Sequence, residues 1–157
     1  MTRSEIREHI FKLVFRREFN SADEMPGQLK IYFEDNYKVD TDSDTPEDDD
    51  RLCLFREDEE AYIKDKYERI ASMIEELDTT INRYSKGWDT KRMGKVDLAI
   101  LRLAVYEMIH DEDIPIGVAI DEAVELAKKY GQDESASFVN GILAGIAKDN
   151  ASKQNNQ

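Results

Sequence analysis

The chain offers little that could carry out covalent chemistry. His9 and His110 stand far from each other and from the lone Cys53, so no group with metal-ligand spacing forms along it. It has no phosphate-cradling glycine loop, no GxSxG elbow and no HExxH helix. Carboxylates abound, yet only Asp97 and Glu107 interrupt an otherwise apolar stretch. For these two, pairing with Lys95 or Arg102 at a helix surface is the simpler reading. Catalysis and cofactor binding are therefore not expected, and recognition remains. Arg3 and Arg7 lie one helical turn apart, and the guanidinium fork suits both phosphate contact and stacking on bases. Tyr130 and Phe138 flank a helix junction and can offer an aromatic face to unpaired bases, although core packing is the simpler role for Phe138.

Charge sharpens this reading. The 157-residue chain carries a net charge of −13, which as a bulk property disfavours indiscriminate nucleic-acid binding. Its distribution is uneven. Arg3, Arg7, Lys12, Arg16 and Arg17 crowd the first segment, and Lys86, Lys91, Arg92, Lys95 and Arg102 crowd another. The run KVDTDSDTPEDDD is polar, acidic and holds a proline, so it reads as a solvated loop over about residues 38–56. One cysteine gives no internal disulfide, and residues 1–19 show no leader-like apolar core, so a cytoplasmic protein is expected.

The elements that must position these residues are helices. Between Val96 and Ile109 only Asp97, Arg102 and Glu107 are polar, which predicts a buried central helix. It is too short for a bilayer, which takes about 20 residues. Ahead of it, Ser4 is a candidate cap for a first helix ending near Phe19, with Ile6, Ile10, Phe11, Leu13, Val14 and Phe15 on its apolar side. Arg3 and Arg7 sit at the edge of that sector, beyond the end of the core. A second helix is expected from about Asp23 to Tyr37, with Pro26 either limiting its regular part to the residues after it or sitting in its first turn. Further helices carry Tyr62, Ile63, Tyr67, Ile70, Met73 and Ile74, and then Leu77, Ile81 and Tyr84. After Pro115 the pattern resumes with Val118, Ala119, Ala123, Val124, Leu126 and Ala127 up to Gly131, a natural stop. Asp133 or Ser135 can cap a last helix with the stripe Phe138, Val139, Ile142, Leu143, Ile146. Gly141 and Gly145, four apart, predict a close helix approach. No period-two alternation or internal repeat is visible. The class is all-α: a single domain over 1–149 and a disordered tail over 150–157.

The order of a Trp, a basic approach, DLAILRLAVYEM, Pro115, VAIDEAVELAKKYG and SFVNGIL, together with the opening REHIFKLVF, resembles the NusB family of bacterial transcription antitermination factors. The likeness covers roughly residues 2–19 and 84–146; the acidic loop is not explained by it. It implies about seven helices in two small bundles, no catalytic activity, and binding of boxA-type single-stranded RNA of ribosomal RNA transcripts. It also implies a partner, the ribosomal small-subunit protein NusE, and entry into a transcription elongation complex. The family's basic start falls on Arg3 and Arg7, with Ser4 and Glu5 where many relatives carry more Arg. Phe138 matches a position near the RNA surface and Asp97 an acidic position at the partner surface. Asp121 replaces a common Asn. No cofactor, no metal and no membrane are implied, and the free protein is expected as a monomer or weak homodimer. A related module is fused to RNA methyltransferases, but the chain leaves no room for a catalytic domain. The competing expectation is a helical protein–protein adaptor that binds little RNA itself.

Overall fold

The computed structural model describes residues 1–35 and 55–155, so most of the expected acidic loop lies outside the described residues. Among those residues there are seven α-helices and no strand, as the sequence predicts. They fall into two compact units, Met1–Glu68 and Arg69–Gln157.

In the first unit, α1 spans Arg3–Arg16 and α2 spans Met25–Asp35; α3, Glu57–Ser72, begins there and ends past its boundary. The cap of α1 is Thr2 and not Ser4. Thr2 and Glu5 form a reciprocal capping box, with the Glu5 N–H donating to the Thr2 hydroxyl at 3.1 Å. A Thr-x-x-Glu pair satisfies two orphan donors, which a cap at Ser4 would leave open. Ile10, Phe11, Leu13 and Val14 are buried from α1, and Met25, Leu29, Tyr32 and Phe33 from α2. Phe55 closes the cluster, edge-on to Phe33 at 5.0 Å and to His9 at 4.7 Å. Burial holds the His9 imidazole below its ordinary pKa, and its Nδ1 hydrogen-bonds the Tyr32 hydroxyl. On α3, Ile63, Tyr67 and Ile70 point inward. Tyr62, expected with them, is exposed, and the Lys66 ammonium lies 5.7 Å from its ring.

In the second unit, α4 spans Ile74–Tyr84, α5 Lys95–His110, α6 Ile116–Tyr130 and α7 Ser135–Asn155. Helix α5 packs against α4, α6 and α7, and α6 also packs on α7. Every residue from Leu98 to Met108 is buried, as expected of a central helix. Two of its polar residues depart from the expected surface pairing. Glu107 is only 1% exposed, and Arg102, 6% exposed, forks onto Asp78 of α4. Both bonds of that fork, from Nε and Nη2, measure 2.8 Å. Val118, expected inward, faces solvent, because Ala119, Ala123, Leu126 and Ala127 already fill the row that α6 buries.

The two glycines of α7 differ. A Cβ at Gly145 would meet the Tyr84 ring at 3.3 Å, whereas one at Gly141 would meet nothing within 4 Å. The close approach predicted for both occurs at Gly145 alone, where the Tyr84 hydroxyl also donates to Asp149 at 2.6 Å. Helix α7 continues to Asn155, past the start of the tail expected at residue 150. Ala, Ser, Lys and Gln follow Asn150, with no glycine or proline to stop the backbone.

Candidate nucleic-acid interface

The connection between α4 and α5 is a built turn and not a slack loop. Lys86 has a φ of 46° and Gly87 one of 96°, so the chain passes twice through the left-handed region. The Asn82 side chain accepts the Thr90 N–H at 2.8 Å, and the Trp88 N–H donates to the Ser85 carbonyl at 3.2 Å. The Ser85 hydroxyl donates in return to the Trp88 carbonyl. Trp88, so fixed, is 57% exposed and stands edge-to-face on Phe138 at 6.4 Å between centroids.

Phe138 comes from the first turn of α7. Ser135 is buried, and its hydroxyl accepts the Gln132 N–H at 2.9 Å, which ties the α6–α7 junction. Gly131 closes α6, its N–H donating to the Ala127 carbonyl at 2.9 Å. Together the α4–α5 turn and the α6–α7 junction frame a groove of about 300 Å³ lined by Trp88, Arg92, Asp97, Glu134, Ser135 and Phe138, among others. Asp97 sits in the first turn of α5, where a carboxylate also suits the helix dipole. Among the described residues nothing pairs with the Asp97 or Glu134 carboxylate. Lys86, Lys91, Arg92 and Lys95 are exposed around this region.

Of the residues expected from the sequence, Asp97 and Phe138 therefore share one groove. Tyr130 ends α6, half-buried, with the Lys129 ammonium 5.4 Å from its ring, and is not among the groove's lining residues. Arg3 and Arg7 belong to the other unit. Arg3 is exposed in the first turn of α1, while Arg7 is 5% exposed and engaged in contacts of its own. Trp88 and Glu134 escaped the sequence reading, and Arg92 entered it only as one of a basic cluster. The signal for Trp88 was its setting in KGWDTKRMGK, a glycine-flanked basic stretch without apolar periodicity. No cluster of possible metal ligands occurs among the described residues, and none of their helices is long and apolar enough to cross a membrane.

An all-helical chain with a polar-edged aromatic groove defines a recognition module. The profile of the NusB family matches residues 4–148, and the chain belongs to that family. Among its relatives, the transcription antitermination protein NusB of Lachnoclostridium phytofermentans is 45% identical over 93% of this chain and 98% of its own length. That of Agathobacter rectalis is 47% identical over 94% of this chain and 100% of its own. Among solved structures, T. maritima NusB aligns with a TM-score of 0.76 at 32% identity, covering 94% of this chain and 92% of the other. A structure of antitermination factors NusB and NusE in complex with dsRNA aligns with a TM-score of 0.71 at 27% identity, covering 95% and 99%.

Proposed function

We propose that this protein is an antitermination factor that binds boxA-type RNA of ribosomal RNA transcripts together with a NusE-type ribosomal protein. It works in the cytoplasm as part of a transcription elongation complex and catalyses no reaction. The observation that carries this reading is the groove beside Phe138, where the exposed Trp88 ring, the half-buried Phe138 ring, free carboxylates and surrounding Lys and Arg meet. Paired RNA hides its bases, and side chains grip them where they are unpaired. An aromatic groove thus favours single-stranded RNA. The relatives' names and the NusB–NusE–RNA structure support the partner.

Arg3 is the phosphate contact, and Arg7 serves chiefly to hold α1 in place. Arg3→Ala is expected to leave melting unchanged and to lower the slope of log affinity against log salt by about one. An unchanged slope would remove Arg3 from the interface. Tyr130, which ends α6 two residues before Gln132, contributes through its ring. Asp97 meets a basic side chain of the ribosomal partner at the groove's edge. Asp97→Lys is expected to weaken partner binding roughly tenfold, equivalent to about 1.4 kcal/mol, with the fold intact. A variant that melts instead would make Asp97 structural.

The net charge of −13 favours a second reading, an adaptor that touches protein alone. The free protein is a monomer or weak homodimer in either case. Measuring RNA affinity with and without the ribosomal partner at two salt concentrations separates the two. Salt-dependent RNA binding supports the first, and binding of the partner without RNA supports the second.

A further inference from the structure

We infer that Trp88 is a stacking platform for one unpaired nucleobase of the bound RNA, and that the Glu134 carboxylate accepts an N–H group from that base's edge. The inference rests on the RNA-binding reading and adds to it a residue and a mode of contact. A tryptophan that is 57% exposed is uncommon, because so large an apolar surface gains by burial. Here the exposure is held in place. The turn that carries Trp88 is closed by Ser85 and Asn82 and contains a non-glycine residue, Lys86, at positive φ. Left-handed backbone at a residue with a side chain persists only where its surroundings enforce it.

The charges around the ring identify the occupant. Lys86, Lys91, Arg92 and Lys95 are exposed on the same connection and suit phosphates. The groove itself holds Arg92 against Asp97 and Glu134, so it repels a phosphodiester and welcomes hydrogen-bond donors. A nucleobase is flat and polarizable on its face and carries N–H donors on its edge. It alone among the parts of an RNA strand matches an aromatic wall over carboxylates. A groove of about 300 Å³ has room for one base.

Trp88 is the chain's one tryptophan, so its emission reports on the site directly. A short single-stranded boxA-type RNA, fluorescently labelled, is titrated into the full chain with and without the ribosomal partner. Label anisotropy and tryptophan emission are read together. Stacking predicts quenching that tracks RNA binding. Trp88→Ala should lower affinity roughly 5- to 100-fold with the salt slope unchanged, and Trp88→Phe should recover most of it. An abasic nucleotide at the contacted position should make wild type and Trp88→Ala bind alike. RNA binding with unaltered emission, or equal affinity of wild type and Trp88→Ala, overturns the inference while leaving the RNA reading intact. Emission that responds to the ribosomal protein and not to RNA also overturns it and gives Trp88 to the protein partner. Absence of RNA binding by the wild type under every condition defeats the RNA reading and this inference together. Should Trp88→Ala fail to fold, the wild-type emission and Trp88→Phe still decide.

Discussion

Asp78→Ala is expected to destabilise the protein by about 3 kcal/mol, the usual scale for breaking a buried ion pair from one side. In thermal unfolding this is a drop of roughly 6–12 °C for a chain of this length. The expectation follows from the position of Arg102 in the middle of α5, where its side chain is 7% exposed. The guanidinium donates two parallel 2.8 Å bonds to the Asp78 carboxylate. Removing the carboxylate takes both of these bonds from a charge in a place that water cannot reach well, and the guanidinium cannot escape by losing its proton. Removing both partners differs in kind. Asp78→Leu with Arg102→Met should recover much of the loss, because apolar replacements of similar volume carry no desolvation penalty. A single Asp78→Ala variant that melts within a degree of wild type would show that the pair is dispensable.

Gly131→Ala should be nearly as damaging, at about 2 kcal/mol, and should also weaken RNA binding. Its backbone angles are ordinary; the difficulty is space. A Cβ there would lie 2.5 Å from the Cβ and Oγ of Ser135 and 2.7 Å from the Ala127 carbonyl oxygen. Neither is the free end of a flexible chain. Ser135 is buried and bonded to the Gln132 N–H, and the carbonyl belongs to the last turn of α6. Overpacking of this kind costs about 1–3 kcal/mol, and relief can come only by shifting the α6–α7 junction. That shift moves Phe138, three residues beyond Ser135. Thermal melting and RNA affinity measured on the same sample check both halves. An unchanged melt would mean that the junction yields freely, and an unchanged affinity would separate Phe138 from it.

The helical class and the central place of α5 were legible because they depend on local apolar pattern. Leu98 to Met108 read as buried on every side, and they are. Features set by distant contacts were not. Arg102 invited a partner on its own helix, yet the carboxylate that takes its fork lies 24 residues earlier on α4, and periodicity carries no such information. Gly141 and Gly145 look alike in sequence and differ only because Tyr84 stands beside one of them. At the start of α1 both Thr2 and Ser4 qualify as caps; Glu5, three residues beyond Thr2, decides between them. Of the candidate site, Phe138 and Asp97 could be chosen from the sequence. Trp88 had only its basic, aperiodic setting to mark it, since a lone tryptophan is usually core and its exposure depends on a turn fixed by Asn82 and Ser85.

That turn has a consequence for rates. With the backbone around Trp88 tied by side-chain and main-chain bonds, little ordering remains to be done when a ligand arrives. A ring already in position neither slows encounter by rearranging nor loses much freedom on contact. Association should therefore vary little among RNA sequences that share the same charge. Discrimination between a favoured and a disfavoured strand then resides in how long each stays, and dissociation rates are where sequence preference will be read.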